Sequence, residues 1–220
     1  MEEARQRIIK QEIPKGAIMM SRYEAIAHQS SFVYTWKNQN EVWPLVHGTG
    51  ILSLAASLGG AYVNFIFRRK LKVHNIGILP SMMAITGPSF LLTTLSRSLA
   101  IDNKLLLLEL PCPLCLELRG AIIQAAFGYF TPFITVPIIT FIVVGSRAYN
   151  IPYPNEGRKI LTIAGSVYQH LIPKLSSTLI LQAMIGGFIT YLQIKSYLRI
   201  LDITYLLEHE KKPKRGYIQQ

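Results

Sequence analysis

The residues whose type and spacing have the most specific chemistry are two thiols, in Cys112-Pro113-Leu114-Cys115. A Cys-x-x-Cys pair can close a disulfide, and the same spacing serves thiol–disulfide exchange in redox enzymes. Four-helix membrane thiol oxidoreductases that pass electrons to quinone also use it, but they need a second cysteine pair to exchange with substrate. This sequence has two cysteines. That number also excludes a disulfide-rich scaffold and any four-thiolate zinc or iron–sulfur site. Two readings of Cys112 and Cys115 therefore stand side by side: a disulfide or reduced pair that pins a loop, and a catalytic membrane thiol pair.

The second chemically marked cluster is Arg68-Arg69-Lys70-Leu71-Lys72. Four cations this close repel one another unless something anionic lies beside them. Anionic lipid headgroups such as those of cardiolipin, or an acidic patch on a protein partner, meet that need. Elsewhere the inventory is plain. The histidines (His28, His47, His74, His170 and His209) form no pair at metal-ligand spacing, and the sequence has no Gly-rich phosphate loop, zinc-protease helix motif or serine elbow. No catalytic, cofactor-binding or metal residue is assigned, and the expectation is a protein that is not an enzyme.

The elements that must position these clusters are read from composition. Half of the 220 residues are apolar and 16% are charged, whereas soluble domains carry about a quarter charged residues. Mean hydropathy is +0.29. The 23 Lys and Arg against 12 Asp and Glu give a net charge of +11. This basic excess flanks apolar stretches, so it fits lipid headgroups and the positive-inside rule and excludes nucleic-acid binding as the first reading. Four apolar stretches stand out, at about 45–67, 75–95, 120–145 and 175–194, stopped by Arg68, Arg97, Arg147 and Lys195. Each is long enough for a hydrocarbon core of roughly 30 Å at about 1.5 Å per residue.

The sequence thus predicts an all-α membrane protein of four transmembrane helices, kinked at Pro80, Pro88, Pro132 and Pro137, where neighbouring helices re-satisfy the freed carbonyls. Ser53/Ser57, Ala56/Gly60 and Gly186-Gly187 supply small residues for close helix approach, within the chain or in a dimer. None of the four stretches, so drawn, holds Asp or Glu, which argues against a pump or transporter. Gln124 and Gln182 suit interhelical hydrogen bonds. Arg158–Leu171 and the stretch from Lys195 to His209 read as interfacial amphipathic helices. The domain scheme is a polar, weakly amphipathic segment at 1–44, the four-span domain at 45–195, and an amphipathic helix with a basic tail at 196–220. Glu2 and Glu3 sit badly in a cleaved presequence, and no secretory apolar region occurs in the first thirty residues, so insertion through internal signals is expected.

Several of these motifs in order resemble the transmembrane protein 126 family. They are Asn64-Phe65-Ile66-Phe67-Arg68-Arg69-Lys70-Leu71-Lys72-Val73, Leu79-Pro80, Pro88-Ser89-Phe90-Leu91-Leu92-Thr93, the Cys112–Cys115 pair, and Leu179 to Gly186. The likeness covers about residues 45–195. It implies a multi-pass protein of the mitochondrial inner membrane that aids assembly of the membrane arm of respiratory complex I. The implied partners are complex I membrane-arm subunits and other assembly factors. The family supplies no catalytic residue to carry over. Loop charges summed along the chain place both termini on the matrix side, while the basic first hairpin and the oxidisable cysteine pair argue for the reverse.

Overall fold

A computed structural model of the chain describes residues 20–73, 76–109, 112–145 and 157–211. Residues 1–19 of the expected N-terminal segment and most of the basic C-terminal tail lie outside these residues, while residues 20–44 form a helix of their own and the start of the next. All regular structure in the described residues is helical. Helix α1 (Arg22–Tyr34) opens on a capping box. The Ser21 hydroxyl accepts from the Glu24 amide at 3.3 Å and the Glu24 carboxylate accepts from the Ser21 amide at 2.8 Å, satisfying two donors that every helix start leaves orphaned. Then follow α2 (Gln39–Lys70), α3 (Ile78–Arg97), a π-helical turn (Ser98–Asp102), α4 (Asn103–Leu106), α5 (Pro113–Ala125), a second π-helical turn (Ala126–Phe130), α6 (Thr131–Gly145) and α7 (Gly157–Lys211).

Helical continuity joins these into four segments long and apolar enough to cross a membrane: Gln39–Lys70, Ile78–Leu106, Pro113–Val144 and Gly157–Leu207. Prolines do not end them. Pro44, Pro88, Pro137 and Pro173 stand inside helices, Pro80 occupies the first turn of α3, where its missing N–H costs nothing, and Pro132 stands in the first turn after the widened π-turn. Cations end only the first of them, which stops on Arg68, Arg69 and Lys70, while the stop read at Arg147 lies outside the described residues. Arg97, Arg119 and Lys195 all lie within continuous helix, because a cation that finds a partner or reaches the headgroups interrupts hydropathy without interrupting hydrogen bonding. The largest departure from expectation is α7. The segments foreseen as separate interfacial helices are the two ends of one 55-residue helix, about 82 Å long at 1.5 Å per residue.

Two packed cores sit at opposite ends of the bundle. One joins Val63 and Phe67 of α2, Ile85 of α3, Val136 and Phe141 of α6, and Ala164, Tyr168, Leu171 and Leu175 of α7. Tyr168 stacks on Phe133 with ring centres 4.2 Å apart and donates to the Phe133 carbonyl at 2.6 Å. The other joins Val33, Val42, Ile101, Leu105, Leu116, Ile194, Tyr197 and Ile200. Gly77 begins α3 with φ +64°, and a Cβ there would meet the Val143 side chain at 2.3 Å, so the turn needs glycine on both grounds. The small-residue positions pack inside the chain. A Cβ on Gly186 would lie 2.5 Å from Gln124 Cβ, the Ser53 hydroxyl bonds Thr94 at 2.8 Å, and the Ser57 hydroxyl donates to the Thr86 carbonyl at 3.2 Å. Outward, Leu54, Leu58, Leu91, Leu99, Ile122, Leu181 and Met184 are exposed, the inversion of surface polarity that lipid contact requires.

Candidate functional site

The polar side chains of the four spans converge on a buried ladder. Arg97, fully shielded from solvent, donates through Nη2 to Thr190 Oγ1 and to Gln193 Oε1, each at 3.0 Å. Thr190 passes its own hydrogen to the Gly186 carbonyl at 2.7 Å. One π-turn beyond Arg97, Asp102 accepts from Thr49 Oγ1 at 2.8 Å and lies within the electrostatic reach of Arg97. A second rung forms where Gln124 Nε2 donates to the Leu52 carbonyl at 3.0 Å and to Gln182 Oε1 at 2.8 Å, while Gln182 Nε2 donates to the Ala55 carbonyl at 2.8 Å. All four spans contribute: α2 through Thr49 and its carbonyls, the second span through Arg97 and Asp102, α5 through Gln124, and α7 through Gln182, Thr190 and Gln193.

This ladder corrects two expectations. Arg97 is no terminal stop but, among the described residues, the most deeply buried cation, and the spans do hold a carboxylate, Asp102. Ending the second stretch at Leu95 hid both, since the helix runs on to Leu106. The available signal was an Arg and an Asp five residues apart inside an otherwise apolar sequence. Chemically the ladder ties helices together. Among the described residues no group of three or more His, Cys, Asp or Glu could hold a metal ion. The interhelical bonds of Gln124 and Gln182 match the role read for them.

The basic hairpin divides. Arg69, Lys70 and Lys72 are exposed, but Arg68 is 2% exposed. Its guanidinium donates to Ser81 Oγ at 3.1 Å, to the Val73 carbonyl at 3.1 Å and to the Ile76 carbonyl. Arg68 therefore clamps the α2–α3 turn from inside and is withdrawn from the lipid or partner surface assigned to it, because the turn offers carbonyls that no helix satisfies. Cys112 and Cys115 are free thiols. Cys112 caps α5, its Sγ accepting from the Cys115 amide at 3.3 Å. Hydrogen bonds from the Cys115 thiol and amide hold the Cys112 thiol below its usual pKa. An exposed ion pair, Arg22 to Glu109 at 2.9 Å, ties α1 to the loop just before this pair.

Comparison with known proteins bears on this architecture as a whole. The family profile for transmembrane protein 126 matches residues 24–206. The protein called transmembrane protein 126 from Drosophila melanogaster is 29% identical over 211 residues, covering 93% of this chain and 95% of the fly protein. Transmembrane protein 126A from Mus musculus is 25% identical over 160 residues, covering 72% of this chain and 80% of the mouse protein. No solved structure gives a significant match.

Proposed function

The chain belongs to the transmembrane protein 126 family, and from that premise we propose that it is a non-enzymatic scaffold of the mitochondrial inner membrane. In this reading it holds membrane-arm subunits of immature respiratory complex I, together with other assembly factors, until the module joins, with its termini in the matrix. The observation that carries the reading is the use made of the spans' polar groups. Arg97, Asp102, Gln124, Gln182 and Thr190 each bond to another helix of the same bundle, which makes the bundle a rigid body and leaves its outer surface to do the work. Such work needs complementary helix faces, which the exposed apolar rows of α2, α3 and α7 supply. Complexome profiling on native gels after deletion of the gene is the test. A stalled membrane-arm subcomplex is expected, and complex I that assembles normally overturns the proposal.

A second reading, a membrane thiol oxidoreductase, is favoured by one observation: Cys112 sits at a helix N-cap with its thiol pKa lowered, the setting of reactive Cys-x-x-Cys pairs. Replacing both Cys112 and Cys115 with Ser separates the two. A scaffold retains complex I assembly with the double variant, whereas an oxidoreductase loses all function.

A further inference from the structure

Antiparallel α2 and α7 do not close on each other along their whole length. Below the tie from Gln182 to the Ala55 carbonyl they part, and two adjoining cavities of about 690 and 460 Å³ open between them, sharing Tyr62 and Lys174 as lining residues. The opening has a local cause. Ala55, Gly59 and Ser177, all small, line its deeper part. The walls are regular: Leu58, Tyr62 and Arg69 recur at helical spacing on one side, and Lys174, Leu181 and Ile185 on the other. Polarity is graded along the groove. Leu58, Leu181 and Ile185 line the deep end, while Arg69, Lys70 and Lys174 line the mouth. No acidic residue lines either cavity, and none of these three cations has an ion pair or hydrogen bond among the described residues.

From Leu58 to Arg69 the helix rises about 16 Å, close to half of a hydrocarbon core roughly 30 Å thick. The groove is therefore one leaflet deep, apolar below and cationic where headgroups lie. We propose that it is a binding site for one phospholipid with an anionic headgroup, the phosphate held by Arg69, Lys70 and Lys174 and an acyl chain laid along Leu58, Leu181 and Ile185. Tyr62, between the two zones, places an aromatic ring at the level where amphipathic rings sit in membranes. A soluble anion would leave the apolar part of the groove unfilled, and a neutral lipid would leave three cations without a counter-charge.

The test uses the full chain purified in detergent and offered equal amounts of phosphatidylglycerol and phosphatidylcholine with the same acyl chains, retained lipid being read by native mass spectrometry. The wild type retains one phosphatidylglycerol in preference to phosphatidylcholine. The double variant Arg69→Gln/Lys174→Gln loses that preference by roughly 25-fold, about fivefold per cation. Ser177→Phe, which narrows the groove without touching a charge, lowers retention of both lipids. Lys37→Gln, just before the opposite end of α2, changes nothing. Equal retention of the two lipids, a preference that survives the double variant, or undiminished retention in Ser177→Phe overturns the proposal. So does displacement of the lipid by millimolar inorganic phosphate, which would mark a site for a free anion. Because both charge substitutions are on exposed side chains, that arm stands even where Ser177→Phe fails to fold.

Discussion

A guanidinium enclosed among four helices is costly unless its charge is answered, so Arg97 and Asp102 must be understood together. Arg97 is sealed from solvent and Asp102 is half-buried, and they act on each other through their field rather than through a contact ion pair among the described residues. Removing one member therefore costs up to the roughly 3–5 kcal/mol of a broken buried pair, whereas removing both leaves a neutral, merely polar gap. Arg97→Met and Asp102→Asn should therefore each lower the thermal midpoint of the detergent-solubilised protein sharply. The double variant should be milder than the sum, with a coupling energy above about 1 kcal/mol. Strict additivity would show that the two groups do not act as a pair. The same residues explain what the sequence left hidden. Hydropathy marks where charge interrupts an apolar stretch, but it does not say whether the cation faces headgroups or the bundle interior. Arg68 and Arg97 look alike from this standpoint to Arg69 and Lys195, and only helix register separates the inward pair from the outward pair. Gln124 and Gln182 were legible because an amide deep in an apolar stretch has few uses other than another helix.

At the scale of elements, the number of spans was written in the sequence and their ends were not. Apolar length fixes how many segments can cross, but a helix continues wherever its backbone bonds are satisfied, so α7 runs through Pro173 and Lys195 and absorbs both flanking amphipathic stretches. The tightest crossing is that of α5 and α7, where a Cβ on Gly120 would approach Thr190 Oγ1 to 2.2 Å and one on Gly186 would meet the Gly120 carbonyl at 2.9 Å. Gly186→Ala should therefore destabilise the protein by about 1–3 kcal/mol through overpacking. Gly165→Ala on the same helix, with nothing within 4 Å, should stabilise it by roughly 0.5–1 kcal/mol through helix propensity. Thermal melts of the two variants should move in opposite directions, and matching shifts would disprove the close crossing. Helix α1 carries a pH signature. The Glu24 carboxyl is held below its usual pKa, first by the Ser21 amide and then by the Ser21 hydroxyl. A depressed folded pKa stabilises above the unfolded value and is lost as pH falls through the folded one. Amide exchange at the start of α1 should quicken as pH falls below about 4.3, the ordinary Glu value, after correction for the intrinsic rate. Glu24→Gln should flatten that profile, and an unchanged profile would exclude the capping box as its source.

The whole molecule is set by the mismatch between α7 and the bilayer. A helix of 55 residues is about 82 Å long, against a hydrocarbon core of roughly 30 Å, so some 50 Å must project, shared between the two ends. Both projecting parts are packed. Ala164, Tyr168 and Leu171 join the core around Phe67, and Ile194, Tyr197 and Ile200 join the core beneath α1, so α7 reaches both aqueous faces as one rigid body. In the proposed inner-membrane setting, which face is the matrix turns on loop charge, and burial takes one cation from each side, Arg68 from the α2–α3 turn and Arg97 from the side of the termini, leaving the balance unmoved. A Cys112→Ser/Cys115→Ser background makes the question measurable with single new cysteines on exposed positions of α7, Thr162→Cys, Leu181→Cys and Asp202→Cys. With matrix termini, an impermeant maleimide should label Thr162→Cys once the outer membrane is opened and Asp202→Cys only after the inner membrane is disrupted, while Leu181→Cys stays unlabelled until the bilayer is dissolved. The reverse order for the outer two would invert the orientation, and labelling of both from one face would show that α7 does not span.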